Sequence, residues 1–115
     1  MGIAAVVALT AMACASLPPA KPIADGKMLV ETWKGSVSTS AASYDYTLTI
    51  KEDGTYLATS PTQRPLDGTW RLVDGGVVWR SNSTGRTGIG SLHEGNGRQV
   101  LRFLSGDGVS GEFTR

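Results

Sequence analysis

Short runs of alternating apolar and polar residues, broken by turn residues, are the feature of this 115-residue chain that most restricts its fold. The clearest run is YDYTLTI at residues 44–50, whose aromatic and aliphatic residues fall on one face of an extended chain. Asp45, Thr47 and Thr49 fall on the other face. A period of two with aromatic and β-branched residues predicts a half-buried β-strand. Asp53-Gly54 follows, and Asp-Gly between alternating runs is typical of a hairpin turn.

The same pattern predicts seven further strands and no helix in the body of the chain. The predicted strands lie at residues 29–37, 44–50, 55–59, 68–73, 77–80, 87–92, 99–104 and 109–114. Asp74-Gly75-Gly76 is predicted to be a three-residue hairpin loop, and residues 93–97 are predicted to turn between the sixth and seventh strands. The glycines at 85, 88 and 90 predict a bend or bulge where the sheet curls.

Every predicted connection is short, so each strand is expected to pair with its neighbours in the chain. The sequence therefore predicts an all-β fold, a small antiparallel eight-stranded meander barrel, with a two-sheet β-sandwich as the alternative. Closure of the sheet removes exposed edges. The interior of an eight-stranded barrel is either filled by side chains or wide enough for one small ligand.

The N-terminus carries a different pattern. The apolar run Ile3–Leu9 is far shorter than the about 20 residues that span a bilayer, and it has the length of a signal-peptide hydrophobic region. Ala11-Met12-Ala13 then precedes Cys14, the only cysteine. This stretch resembles the lipobox of bacterial lipoproteins, in which the leader is cut before a cysteine that carries diacylglycerol. The resemblance implies an acylated Cys14 and a membrane anchor. With Ala15 after the cysteine in place of Asp, resemblance to enterobacterial lipoproteins implies the outer membrane.

Two other interpretations of this leader stay open. Ala11-x-Ala13 also fits an ordinary secretory cleavage site, which would leave Cys14 as a free thiol. The third interpretation is a cytosolic protein with an apolar N-terminal helix. The proline-rich stretch Ser16–Pro22 argues against that helix, because proline lacks the backbone donor, and it is typical of an extended spacer. The predicted division is a signal peptide at 1–13, the lipidated cysteine and a flexible spacer at 14–27, and a β-barrel-like domain at 28–115.

The body of the chain carries a second resemblance. Gly68-Thr69-Trp70 followed by further hairpins resembles the small lipocalin-like or calycin-like domains of secreted bacterial proteins. It is similar, more loosely, to the barrel inhibitors of bacterial metalloproteases, whose barrel has a cysteine pair that this body lacks. Both resemblances imply a barrel, and neither assigns a functional residue.

Charge and chemistry exclude several classes of function. The chain has 11 Lys+Arg against 10 Asp+Glu, which does not predict a nucleic-acid partner. His93 is the only histidine and is predicted to be an exposed turn residue beside Glu94. One histidine, with Cys14 in the leader, cannot supply the usual three or four zinc ligands, so we expect no metal and no cofactor. No G-x-S-x-G motif or P-loop is present, and we expect no enzyme.

The aromatic residues remain as candidates for function. Trp33, Trp70 and Trp79 lie on three predicted strands and Tyr46 on another, where they either fill the core or line a cavity. The first hypothesis is a binding module that holds a small apolar or envelope-derived ligand with Tyr46, Trp70 and Trp79. The alternative is a protein-interaction or protease-inhibitor-like role, with an envelope protein as partner, through the loops at 36–43 and 60–67. An open interior would favour the first hypothesis.

Overall fold

A computed structural model describes residues 17–115 of the chain. Its strands are β1 (Ala20–Lys21), β2 (Glu31–Ser38), β3 (Ser43–Ile50), β4 (Thr55–Thr59), β5 (Leu66–Val73), β6 (Gly76–Ser81), β7 (Thr87–Gly95), β8 (Arg98–Ser105) and β9 (Ser110–Thr114), with one turn of 3₁₀ helix at Gly26–Met28. Within this part of the chain, no helix has the length and apolar character that crossing a bilayer demands.

Strands β2 to β9 form one closed sheet. Each pairs antiparallel with its neighbours in the chain, and β2 also pairs with β9, which closes the ring. The predicted eight-stranded antiparallel meander barrel is thus confirmed, and the two-sheet sandwich is excluded because all eight strands belong to this single ring. The fold is compatible with a lipocalin-like barrel. Strand β1 is an addition that pairs only with β7.

The alternation of residue types decides which side chains enter the barrel. Tyr46, Leu48 and Ile50 on β3 are buried, and the threonines between them are only half-buried. Buried apolar side chains of other strands, among them Trp33, Val77 and Leu101, join them in one apolar cluster. Burial of this face stabilises each strand, because an apolar side chain contributes about 1.5–3 kcal/mol when it is removed from water.

Two hairpin loops are shorter than the sequence predicts. Asp74 and Gly75 have φ angles of 51° and 80°, and Asn96 and Gly97 have φ angles of 54° and 73°. Paired positive φ angles in a two-residue loop are those of a type I′ turn, whose twist matches the flanking strands. The predicted three-residue loop at 74–76 is wrong by one residue, because Gly76 pairs with Val73 and already belongs to β6.

The glycines of β7 provide space for aromatic rings, and the predicted bulge is absent there, because the pairing of β7 with β6 and with β8 is continuous. A Cβ at Gly88 would lie 2.7 Å from Cζ2 of Trp79, and a Cβ at Gly90 would lie 2.8 Å from Cδ1 of Phe103. Both aromatic rings come from the strands on either side of β7. Because Gly88 and Gly90 have no side chain, the two rings can lie against the backbone of β7 at these positions.

One end of the barrel, called here the closed end, is sealed by the chain before β2. Leu29 and Trp33 are 0% exposed and Ile23 is 3% exposed. The indole Nε1 of Trp33 donates a hydrogen bond of 2.9 Å to the carbonyl oxygen of Leu29. This bond satisfies the polar atom of the ring while the rest of the ring fills the core.

Arg115, directly after β9, completes the closed end. Its guanidinium carbon lies 4.1 Å from the centroid of the Trp33 ring, a cation–π contact. The same guanidinium donates to the carbonyl oxygens of Met28 and Val30, and its Nε donates to Oε1 of Gln99 at 2.7 Å. One side chain therefore connects the 3₁₀ turn, β8 and the buried tryptophan.

The described part of the predicted spacer, residues 17–27, packs against the barrel. The backbone N–H of Ile23 donates to the carbonyl oxygen of Gly75, and that of Glu94 donates to Pro19. The Lys21 ammonium forms an ion pair with the carboxylate of Glu94. These contacts extend the sheet beyond the end of β6, where β1 takes its place beside β7.

We expect Glu94→Gln to reduce the acid sensitivity of the fold. Hydrogen bonds from Lys21 and then from Gln99 hold the pKa of the Glu94 carboxyl below its usual range. A depressed folded-state pKa stabilises the protein above the unfolded pKa of about 4.3, and this stabilisation is lost as the pH falls through the folded value. Urea denaturation near neutral pH and at about pH 3 measures the loss.

The matched control is Glu52→Gln in the turn after β3, an exposed carboxylate to which the structure of residues 17–115 gives no hydrogen bond. We expect Glu94→Gln to show a smaller difference in unfolding free energy between the two pH values than Glu52→Gln. Equal differences for the two variants would contradict a stabilising role for the Lys21–Glu94–Gln99 cluster.

Candidate functional site

The interior of the barrel holds a cavity of about 300 Å³. Seven of the eight barrel strands contribute side chains to its wall, all except β7. The deep wall is apolar and is formed by Leu48, Ile50, Ala58, Val77, Phe103 and Phe113. An apolar wall gives a ligand a large contact area but few hydrogen bonds, so a cavity of this kind favours ligands with an apolar surface.

The cavity opens at the end opposite Trp33, called here the mouth. The loops that join β2 to β3, β4 to β5, β6 to β7 and β8 to β9 surround this end. Each contributes to the lining, with Thr39, Gln63, Thr84 and Val109. The site therefore combines an apolar interior with a mainly polar rim.

All three residues that the sequence analysis selected line the cavity, namely Tyr46, Trp70 and Trp79. Tyr46 is 7% exposed, and its hydroxyl donates to the carbonyl oxygen of Arg64 at 3.2 Å. Burial, with a smaller contribution from Tyr44, raises the pKa of the Tyr46 phenol. A role of the three residues in ligand binding stays a prediction, and Cys14 lies outside the described residues.

Trp70 forms part of the cavity wall nearer the closed end. Its Nε1 lies 3.1 Å from the carbonyl oxygens of both Lys51 and Thr55, in and beside the turn between β3 and β4. A Cβ on Gly26 would lie 2.9 Å from Cη2 of Trp70, so the 3₁₀ turn packs on the ring. The polar atom of this indole is satisfied by backbone, and the remainder of the ring offers apolar surface.

Trp79 lies edge-to-face with Phe103, with ring centroids 5.9 Å apart and an interplanar angle of 86°. Its Nε1 is the one buried side-chain nitrogen or oxygen within residues 17–115 that has no hydrogen-bond partner. An unpaired buried donor costs about 1–3 kcal/mol. Trp79 is therefore held by ring packing and by the space above Gly88, and not by a polar contact.

The sequence analysis missed several residues of the wall. Tyr56 lies on β4, and burial, with a smaller effect of the Asp67 carboxylate, raises its pKa to about 12, so the phenol is neutral at physiological pH. Phe103 and Phe113 lie on strands that were predicted, and their alternation with exposed neighbours was the available signal. Arg86 belongs to the loop before β7, and a loop has no alternation of residue types from which an inward-facing side chain could be predicted.

His93 lies in β7 and not in a turn, which corrects the prediction. Its Nδ1 is 3.0 Å from the carbonyl oxygen of Pro18, and its Nε2 is 2.9 Å from Oγ of Ser91. A carbonyl oxygen only accepts, so Nδ1 donates and, in the neutral ring, Nε2 accepts from the Ser91 hydroxyl. The half-buried imidazole connects the N-terminal segment to the barrel wall. Among residues 17–115, no group of three or more His, Cys, Asp or Glu side chains is arranged to hold a metal ion.

Comparison of the chain with protein-family models, with curated proteins and with solved structures found no match in any of the three. The functional argument therefore rests on the cavity and its mouth.

Proposed function

We propose that this chain is a non-enzymatic binding module that holds one small apolar ligand inside the barrel. The observation that carries the proposal is the cavity of about 300 Å³, with an aromatic and aliphatic wall, that opens at the mouth. Ligand pockets in proteins have volumes of about 300–1,000 Å³ and are lined mainly by such side chains. A barrel filled by its own side chains would leave no such space.

The volume limits the ligand. At about 300 Å³, the cavity lies at the lower end of the volume range of ligand pockets, so it suits a small ligand. One short alkyl or acyl chain, or one small ring system, meets this limit. A larger ligand would have to extend through the mouth.

We also propose that the module is a lipoprotein of the bacterial cell envelope, attached to the outer membrane through an acylated Cys14. The support is the leader sequence alone. Mass spectrometry of the N-terminal peptide tests it. A peptide that begins at Cys14 with diacylglycerol on the thiol is the expected result. A peptide that begins at Cys14 with a free thiol would mean that the protein is secreted and has no lipid anchor. A peptide that begins at Met1 would contradict export.

The anchor would set the direction of the mouth. Pro18 packs on the end of β7, where a Cβ on Gly95 would lie 3.2 Å from the Pro18 Cβ, and this is at the closed end. Leu17 is three residues from Cys14, a distance of at most about 11 Å along the chain. An acylated Cys14 would thus hold the closed end beside the membrane and leave the mouth directed away from it.

Ala58→Phe tests the cavity as the binding site. Ala58 is 3% exposed and lines the cavity, so a benzyl group there would occupy space that the ligand needs. We expect the affinity for decan-1-ol, measured by titration calorimetry, to fall at least about tenfold. The control is Leu57→Phe, the preceding residue on the same strand, whose side chain is 36% exposed on the outer face.

We expect Leu57→Phe to bind decan-1-ol as the unmodified protein does. Melting temperatures of both variants show whether each has folded. Equal affinities of the two variants would contradict the cavity as the site, and no binding to the unmodified protein would contradict the proposed function.

The alternative role, a protein-interaction or protease-inhibitor-like lipoprotein that acts through its loops, stays a prediction. Gln63, in the loop at 60–67, lines the mouth of the cavity. That loop is thereby part of the ligand site in the present proposal, which weakens the case for a separate role.

A further inference from the structure

We propose that the ligand is an amphiphile with a single negative charge, and that the guanidinium of Arg86 binds its head group at the mouth. This inference rests on the proposed function, because it assumes that the cavity takes a ligand. The inference adds the chemical class of that ligand, and it names Arg86 as the residue that distinguishes an anionic ligand from a neutral one.

Among residues 17–115, Arg86 is the only charged residue that lines the cavity, and no carboxylate lines it. The deep wall can contact only the apolar part of a ligand. A cationic head group would meet a guanidinium at the mouth and no cavity-lining carboxylate to balance it. The lining therefore favours an anion at the mouth over a cation.

The loop that carries Arg86 is fixed by its own hydrogen bonds. The backbone N–H of Ser81 donates to the Arg86 carbonyl oxygen at 2.8 Å, and that of Gly85 donates to Ser81 at 2.9 Å. The backbone N–H of Arg86 donates to Oγ1 of Thr84 at 3.0 Å. These bonds hold the start of the arginine side chain in a defined position at the mouth, so less conformational entropy is lost on binding.

Asp107 orients the guanidinium from one side. Its Oδ2 accepts from Nε of Arg86 at 2.6 Å, and its other oxygen accepts from the hydroxyl of Ser105. The bond from Ser105, followed by the bond from Arg86, lowers the pKa of the Asp107 carboxyl, so this group is a carboxylate at neutral pH. Within residues 17–115, the two terminal amino groups of Arg86 have no partner. They offer a forked pair of donors, the arrangement that binds a carboxylate or a phosphate ester through two oxygens.

The neighbouring carboxylate also limits the charge of the ligand. Asp107 balances part of the positive charge of Arg86, so a second negative charge on the head group would be repelled without a cation to offset it. The other polar side chains that line the cavity near the mouth, including Gln63, Thr84 and Ser110, are uncharged. A monoanionic head group on a short apolar chain fits both parts of the site.

Titration calorimetry with decanoate and decan-1-ol tests the inference, because the two probes share the alkyl chain and differ in the charge of the head group. We expect the unmodified protein to bind decanoate at least about tenfold more tightly than decan-1-ol. Arg86→Gln should weaken the binding of decanoate until it is no tighter than the binding of decan-1-ol. The matched control is Arg64→Gln, in a loop at the same end of the barrel, where Arg64 does not line the cavity.

Arg64→Gln should keep the preference for decanoate. Equal binding of the two probes by the unmodified protein would overturn the inference about Arg86 but would still support the binding function. Binding of neither probe would overturn both the inference and the proposed function. Equal loss of the preference in Arg64→Gln and Arg86→Gln would also overturn the assignment to Arg86. If Arg86→Gln lowers the melting temperature, Asp107→Asn provides the check. It breaks the same ion pair, keeps Arg86, and should still prefer decanoate.

Discussion

Gly35→Ala is expected to prevent the barrel from closing properly. Gly35 lies in β2, between Tyr46 of β3 and Phe113 of β9. A Cβ at this position would lie 1.9 Å from the carbonyl oxygen of Glu112 and 2.7 Å from Cα of Phe113. Both are backbone atoms, so no side-chain rotation relieves the overlap. The strands β2 and β9 would have to separate where they close the ring.

We expect a loss of at least about 3 kcal/mol in the free energy of unfolding, which is the upper end of the usual cost of overpacking. Small domains are stable by only about 5–15 kcal/mol, so part of the variant should be unfolded at moderate temperature. Urea denaturation followed by circular dichroism measures the change. Gly106→Ala is the control, because a Cβ there meets no atom within 4 Å. A Gly35→Ala variant as stable as Gly106→Ala would contradict the closure of the ring at this ladder.

The strands of the barrel could be predicted because their signal is local. The run at 44–50 alternates strictly, and β3 occupies Ser43–Ile50. Each inward position of a barrel strand has an outward neighbour, so the sequence records which face is buried. Antiparallel pairing of consecutive strands then follows from the short connections.

The hairpin loops were less predictable because their length depends on register. Asp74-Gly75-Gly76 contains three residues that tolerate turns, and only the pairing of Val73 with Gly76 decides that the loop has two. His93 was assigned to a turn for a similar reason. Strand β7 continues to Gly95 because it pairs with β8 from Gly88 to Gly95, and that pairing is not visible in residues 93–97 alone.

The candidate site also has a part that the sequence predicts and a part that it does not. Trp70 and Trp79 are on inward positions of paired strands, which alternation predicts. Whether a ring fills the core or borders a cavity depends on the sum of all side chains in the barrel, and no local pattern gives that sum. The ion pair of Arg86 with Asp107 joins residues 21 apart in the chain through two loops, so the sequence has no period that could reveal it.

Trp33→Ala is expected to cause the other large loss of stability. Trp33 is 0% exposed, so its removal leaves a void at the closed end. It also removes the donor to the Leu29 carbonyl oxygen and the ring against which Arg115 lies. A substitution of a buried aromatic residue by alanine costs about 3–5 kcal/mol, and we expect a value in that range. Urea denaturation monitored by the far-ultraviolet circular dichroism signal measures it.

Trp33→Phe and Arg115→Ala separate the contributions at the closed end. Trp33→Phe keeps an apolar ring and loses the N–H donor, so it should cost less than Trp33→Ala. A double-mutant cycle of Trp33→Ala with Arg115→Ala should give a coupling energy of about 0.5–2 kcal/mol, because the guanidinium lies over the ring. The order of stability then identifies what the closed end requires. A loss below about 1 kcal/mol for Trp33→Ala would mean that the ring is not core. A coupling energy near zero would mean that Arg115 stabilises the end only through the carbonyl oxygens of Met28 and Val30.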